Sequence, residues 1–238
     1  VFDYDSGTDL AVADADRSPF SGGKRVMVDG LMTRQQTIVA ATVFYILGIT
    51  AGLAIVFYHE PKILIIGLIG VTFAYFYNAP PLKLSYRGLG EVAVAITYGP
   101  LICCGTYLVL NRDLPVTVVA ISLPLGILIA AFLVINEFPD RKADLGAGKM
   151  NLVVQLGDQK AGVLYVVMIV LAFFAVLFLP QTGLPNTVWL GFVGLPFGAA
   201  SARRVLTTKE TAALIPAQHW MLISFVLTAV GLGIGLLI

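Results

Sequence analysis

Seven stretches of continuous apolar sequence constrain this chain more than any other feature. They run at approximately 37–58, 62–78, 92–110, 114–135, 161–180, 187–202 and 219–238. A bilayer's hydrocarbon core is crossed by about 20 apolar residues in a helix. The second and sixth stretches are short, and the others reach or approach that length. The runs are continuous and do not alternate, which predicts helices and not the strands of a membrane barrel. Gly48, Gly52, Pro100, Pro124 and Pro196 fall inside them. Membrane helices tolerate both residue types where neighbours satisfy the freed backbone groups. Charged residues make up only 12% of the chain, about half the usual share in a soluble domain. The expected fold class is an all-α multi-pass membrane protein. It forms one domain over residues 1–238, with no fixed-period repeat and no low-complexity tract.

The polar connections are unequal. Residues 1–36, 79–91, 136–160 and 203–218 are long, and residues 59–61, 111–113 and 181–186 are short. Alternation of seven spans places the long connections on one face. That face then carries 13 of the 15 Lys and Arg residues, and only Lys62 and Arg112 lie opposite. The excess of positive charge predicts that the long loops are cytoplasmic in a cell membrane and the C-terminus lies on the other side. A net charge of +1 points to no nucleic-acid partner, and no obligate protein partner is evident. Cys103 and Cys104 are neighbours inside an apolar run and read as small packing residues. His59 and His219 read as interfacial residues. The chain starts at Val1 with no initiator Met and no signal-peptide pattern, so it is expected to be a fragment that lacks upstream sequence.

The long-loop face also holds 12 of the 14 acidic residues. Asp3, Asp5, Asp9, Asp14, Asp16 and Asp29 precede the first span. Glu91 opens the third, Glu137, Asp140, Asp144 and Asp158 follow the fourth, and Glu210 lies in the last long loop. The clearest pattern is Asn136, Asp140 and Asp144, spaced by four. On a helix these side chains would lie on one face, although Pro139 threatens to break that helix before Asp140. Stacked carboxylates at a membrane mouth repel one another, and a divalent cation removes the repulsion. Hard oxygen ligands suit Mg²⁺, which usually takes one or two carboxylates together with phosphate oxygens and water. Asp3, Asp5 and Asp9 form a second oxygen-rich cluster. Lys83 and Arg87 follow the second span, and Arg141 and Lys142 lie inside the later acidic motif. Acids with nearby bases on one face suit a Mg²⁺-diphosphate, the metal bridging carboxylate to phosphate and the bases neutralising the rest. For Arg203, Arg204 and Lys209, lipid-headgroup anchoring is the expected role.

At these residues the chain resembles the UbiA family of intramembrane aromatic prenyltransferases. The second family motif, Asn-x-x-x-Asp-x-x-x-Asp, matches Asn136, Asp140 and Asp144. The following Gly146-Ala-Gly-Lys-Met-Asn-Leu-Val-Val-Gln-Leu-Gly157 and the Tyr77-Asn-Ala-Pro-Pro-Leu-Lys83 loop also resemble the family. Asp3 and Ser6-Gly-Thr-Asp9 match the second half of the first motif. With Phe20-Ser-Gly-Gly and Val28-Asp-Gly-Leu-Met-Thr33, they are similar to the 1,4-dihydroxy-2-naphthoate branch of menaquinone biosynthesis. The family's Asn-Asp pair would stand before Val1. The resemblance implies a nine-helix bundle whose first two helices precede residue 1.

The resemblance implies Mg²⁺-dependent transfer of a prenyl group from a polyprenyl diphosphate to an aromatic acceptor, within membrane lipid. Asp3, Asp9, Asp140 and Asp144 would hold the metal. Asn136, Lys83, Arg87, Arg141 and Tyr77 would attend the diphosphate, Lys83 acting in catalysis by stabilising the leaving group. Homogentisate, 4-hydroxybenzoate, a chlorophyll-type alcohol or a glyceryl phosphate remain alternative acceptors. A CDP-alcohol phosphotransferase is disfavoured because Asp29-Gly30 is followed by Leu-Met-Thr-Arg and not by that class's Ala-Arg pattern. A cation transporter is disfavoured because the acids crowd one mouth, whereas transport sites lie near the midplane.

Overall fold

The computed structural model describes residues 1–13, 18–20, 25–208 and 210–238, the side chain of Thr211 excepted. Asp14, Asp16, Arg17, Lys24 and Lys209 lie outside the described residues, as do Ser21 to Gly23 of the Phe-Ser-Gly-Gly stretch. All regular structure among the described residues is helical. Two short turns, Phe2–Asp5 and Thr8–Ala11, precede the main helices. These are α1 (Arg34–Tyr58), α2 (Ile63–Phe76), α3 (Gly90–Asn111), α4 (Val116–Gly146), α5 (Leu152–Phe178), α6 (Leu195–Thr207) and α7 (Thr211–Leu237). Helices α1, α3, α4, α5 and α7 are long and apolar enough to cross a bilayer, and α2 is apolar but shorter.

Side-chain caps fix the starts of two helices. Helix α1 starts ahead of its apolar run because Thr33 and Gln36 form a capping box. The Thr33 hydroxyl accepts from the Gln36 amide at 3.2 Å, and Gln36 Oε1 accepts from the Thr33 amide at 2.8 Å. Helix α5 starts at Leu152, well before the expected 161, because Asn151 caps it by accepting from the Val154 amide at 2.8 Å. Gly157 then kinks it at φ 73° and ψ 165°, a backbone region open to glycine and hardly to other residues.

Three expectations are corrected. Residues 136–160, expected as a long loop, are helical except for a five-residue connection at 147–151. Helix α4 runs through Pro124 and Pro139 unbroken, so Asn136, Asp140 and Asp144 do share a helical face. The span expected at 187–202 divides into a 3₁₀ segment, Asn186–Gly194, and α6, with Pro196 in the first turn of α6, where its missing N–H is harmless.

The core lies among α4, α5, α6 and α7. Leu128, Val134 and Ile135 meet Tyr165, Ile169 and Phe173 of α5, Val205 of α6, and Leu214 and Met221 of α7. The Tyr165 hydroxyl is 2.6 Å from that of Ser201, which donates to the Ala217 carbonyl at 2.7 Å, so a satisfied polar chain ties α5, α6 and α7 together. Helix α3 packs on α4 backbone to backbone. A Cβ on Gly126 would stand 2.4 Å from the Ala95 carbonyl oxygen, and one on Gly99 would stand 2.6 Å from the Gly126 Cα. Small residues at such a crossing allow close packing where lipid supplies no hydrophobic drive. Beside this crossing α3 relaxes into a π-helical turn, Thr97–Leu101, which contains Pro100. Helices α1 and α2 bury no residue. Their outward Phe44, Leu47, Ile65 and Leu68 suit a hydrocarbon surrounding.

Candidate active site

The polar residues gather where the N-terminal turns, the α2–α3 loop and the α4–α5 connection meet. Each segment is held by local bonds. Arg34 at the start of α1 grips Asp5 with two hydrogen bonds of 2.7 Å, and the Phe20 ring packs edge-on against Phe132 of α4 and His219 of α7. In the α2–α3 loop the Ser85 amide donates to the Tyr77 carbonyl at 2.9 Å, and the Ser85 hydroxyl donates to Asn78 Oδ1. Past the end of α4 the chain turns back, and the Lys149 amide donates to the Asp144 carbonyl at 2.8 Å. The Met150 amide then reaches the Tyr86 carbonyl at 3.2 Å and joins the two loops.

These bonds set Lys149 between the two aspartate motifs. Its Nζ stands 3.6 Å from Asp3 Oδ2 and 3.6 Å from Asp144 Oδ1. Asp3 Oδ1 accepts from the Tyr86 hydroxyl at 2.9 Å, and Asp144 Oδ2 accepts from Asn151 Nδ2 at 2.7 Å. The Asp144 side chain is only 1% exposed and that of Lys149 is 18% exposed. Both Lys83 and Lys149 lie over the Tyr86 ring, at 5.1 and 6.0 Å from its centroid. A tyrosine face attracts cations at that range.

Electrostatics follow from this arrangement. Burial pulls the Lys149 ammonium down, but the Asp144 and Asp3 carboxylates outweigh it and hold Lys149 above its ordinary range. Asp9 is pushed up by its own burial and then by the neighbouring Asp3 carboxylate. Tyr77 is raised by burial, then by the Glu137 carboxyl. Tyr86 is raised chiefly by burial. Both phenols therefore stay protonated donors at neutral pH.

The structure gathers Asp3, Asp9 and Asp144, with Lys83 above Tyr86 and Tyr77 facing the group. Asp140 is half-buried on α4 between Asn136 and Asp144. Asn136 Oδ1 is buried with no hydrogen-bond partner among the described residues. Two predicted bases are held elsewhere. Arg87 is exposed and donates to the Pro81 carbonyl at 3.1 Å. Arg141 forms an ion pair with Asp158 at 3.1 Å and lines a separate groove with Phe138, Lys142 and Val205.

Sequence reasoning passed over Lys149, Tyr86 and Asn151 as site residues. Lys149 carried a signal in its place just past the acidic motif. Tyr86 and Asn151 carried none beyond proximity to those segments.

Among the described residues no three acidic, imidazole or thiol groups close on one point. The donor chemistry nevertheless fits a hard cation. Carboxylates from both motifs face a single positive charge, and Asp144 Oδ1 is buried without a hydrogen bond, its ammonium partner lying just beyond hydrogen-bond range.

The sequence profile of the UbiA prenyltransferase family matches residues 4–226. A 1,4-dihydroxy-2-naphthoate octaprenyltransferase of Mycobacterium tuberculosis is 28% identical over 214 residues, which is 90% of this chain and 71% of the relative. A 2-carboxy-1,4-naphthoquinone phytyltransferase of Synechocystis is 29% identical over 67% of this chain and 48% of its own length. A 1,4-dihydroxy-2-naphthoate octaprenyltransferase of Haemophilus influenzae is 28% identical over 73% of this chain and 56% of the relative. The chain thus spans about half of the last two relatives. No solved structure matches.

Proposed function

Because this chain belongs to the UbiA prenyltransferase family, we propose that it transfers a prenyl group from a polyprenyl diphosphate to a hydroxynaphthoate-type aromatic acceptor in quinone biosynthesis. The observation that carries the reading is the meeting of Asp3, Asp9, Asp144 and Lys149 at one mouth of the helical bundle. The names of the relatives support the acceptor class. They differ in the prenyl chain transferred, so the donor's length stays open.

Asp3, Asp9, Asp140 and Asp144 would hold Mg²⁺. Bound there, the ion would supply positive charge that neutralises the leaving diphosphate. Lys149 and Lys83 bind the remaining diphosphate charge, in a half-buried site where each ion pair is stronger than in water. Asn151 holds the Asp144 carboxylate in place through its 2.7 Å hydrogen bond. Asn136 supplies a free carbonyl oxygen from the same face of α4. The protonated Tyr77 and the Tyr86 ring present π faces that stabilise positive charge at the allylic carbon once its C–O bond breaks. An apolar groove of about 350 Å³ between α2 and α3, lined by Phe73, Ala93, Val94 and Tyr77, leads away from this point. It suits the isoprenoid tail. Arg87 and Arg141, spoken for elsewhere, act at most after a loop rearrangement.

The test is direct. Membranes bearing the protein are incubated with labelled prenyl diphosphate, Mg²⁺ and a panel of acceptors. Transfer to hydroxynaphthoates, lost on chelation and restored by Mg²⁺, is the expected result. Intact diphosphate with every acceptor would sink the enzyme reading, and transfer confined to a non-naphthoate acceptor would sink the acceptor class.

A further inference from the structure

Arg203 and Arg204 have no part in the chemistry above. With Ala200 and Thr207 they recur at the three- and four-residue steps that put side chains on one face of a helix. That face of α6 and Trp220 of α7 line a groove of about 490 Å³. Arg204 is fixed at its edge, because its Nε donates to the Ala213 carbonyl of α7 at 2.9 Å. The bond uses Nε and leaves both terminal nitrogens for a ligand. The two arginines are exposed, and neither forms an ion pair among the described residues. Glu210, which precedes α7, is exposed and lies outside the groove's lining. The Thr207 hydroxyl donates to the Arg203 and Arg204 carbonyls, at 3.0 and 3.1 Å. It thereby covers part of the negative C-terminal end of α6.

The groove opens at the end of the bundle that carries the aspartate mouth. Thr208, which follows α6, lines a neighbouring groove with Arg141 and Asp158. Deeper in the bundle, Pro196 of α6 and Ile223 of α7 stand about one turn below Ala200 and Trp220, and both are exposed. A cationic rim, a tryptophan beneath it and an apolar wall below follow the order of headgroup, glycerol and acyl chain in a lipid leaflet. Tryptophan concentrates at that interface, and arginine reaches from apolar surface to headgroup. The lining holds no carboxylate that could take a metal ion. This favours a metal-free phosphodiester over a diphosphate carried with Mg²⁺.

We propose that the α6–α7 groove is a binding site for a single anionic phospholipid. The Arg203 and Arg204 guanidiniums take its phosphate, their forked N–H groups matching the phosphate oxygens. Trp220 packs on the glycerol end, and an acyl chain runs down past Pro196 and Ile223. Scattered basic residues anchor a chain to any anionic leaflet, whereas a basic pocket between two helices picks out one lipid molecule. Occupancy of this site does not depend on the transferase reading.

Trp189 and Trp220 are the two tryptophans of the chain, so Trp189→Phe leaves Trp220 as the reporter inside the groove. The full chain is placed in phosphatidylcholine nanodiscs. These carry a small, equal fraction of either brominated-chain phosphatidylglycerol or brominated-chain phosphatidylcholine, and quenching of Trp220 fluorescence is read. A basic residue at an anionic leaflet is worth about fivefold in lipid partitioning, so the groove should favour phosphatidylglycerol by about 25-fold. Arg203→Gln should cut that preference about fivefold, and Arg203→Gln combined with Arg204→Gln should erase it. Lys160→Gln removes an exposed charge outside the groove's lining and should leave the preference unchanged. Equal quenching by the two lipids in the Trp189→Phe protein would overturn the proposal. So would an equal loss in Lys160→Gln, which is the mark of diffuse surface charge. Relief of quenching by inorganic phosphate or a prenyl diphosphate, as readily as by unbrominated phosphatidylglycerol, would overturn the choice of ligand. If Trp189→Phe does not insert, the wild type serves. Trp189 lies in the 3₁₀ segment ahead of α6, its indole bonded to the Leu177 carbonyl, and adds the same quenching from both lipids.

Discussion

Replacing Lys149 by Met removes a charge in ion-pair contact with both aspartate motifs, while keeping most of the side-chain volume. The two ion pairs are 3.6 Å long. At an effective dielectric of about 20, each such pair attracts by about 4–5 kcal/mol. Desolvation of the half-buried ammonium offsets part of this. Asp3, with 22% of its side chain exposed, is eased by solvent, whereas Asp144 would be left as a buried charge without a cation. Breaking a buried pair on one side costs about 3–5 kcal/mol, and for a chain of 150–250 residues each kcal/mol moves the melting midpoint by about 2–4 °C. Lys149→Met without Mg²⁺ should therefore unfold roughly 6–20 °C below wild type. Addition of Mg²⁺ should recover much of that loss, because a bound cation stabilises the folded state by mass action. The pH dependence has a definite sign. Asp144 and Asp3 outweigh burial and hold the Lys149 ammonium above its ordinary value, so its stabilisation is complete below about pH 10.4 and lost as pH rises through the higher folded value. The gap between wild type and variant should close in stronger alkali. Thermal unfolding of the detergent-purified protein, followed by intrinsic fluorescence, measures all of this. A variant that melts within about 1 °C of wild type, with or without Mg²⁺, would refute the claim that Lys149 neutralises the cluster.

Three further outcomes follow from the geometry. Asp144→Ala should abolish Mg²⁺-dependent transfer, whereas Arg141→Gln, whose guanidinium faces Asp158, should retain transfer within a few-fold, and assays of the two in membranes separate the residues. Asn151→Ala removes both the cap of α5 and the bond to Asp144, so it should cost about 2–4 kcal/mol, read from the melting midpoint. Gly126→Ala drives a methyl group to 2.4 Å from the Ala95 carbonyl oxygen, and the forced separation of α3 and α4 should cost about 1–3 kcal/mol. A neutral Gly126→Ala would show that the helices do not cross there.

What the sequence determined by itself is the part governed by short-range rules. Runs of apolar residues established that helices form and approximately where, because apolar length and continuity act within one segment. The spacing of Asn136, Asp140 and Asp144 placed them on one face once α4 was known to pass Pro139 unbroken, which membrane helices permit when neighbours satisfy the backbone. The gathering of acids and bases at one mouth was legible from the alternation of spans. The tertiary structure decided which of those charges meet. Asp3, Tyr86 and Lys149 are far apart in the chain and come together only because the N-terminal turns fold under the α2–α3 loop and residues 147–151 double back over α4. Arg141 left the cluster because it lies about 100° around the helix from Asp140, toward Asp158. Helices α3 and α4 meet closely because Gly99 and Gly126 let them approach backbone to backbone. Residue spacing encodes direction along one helix, whereas contacts between helices depend on loop closure and packing.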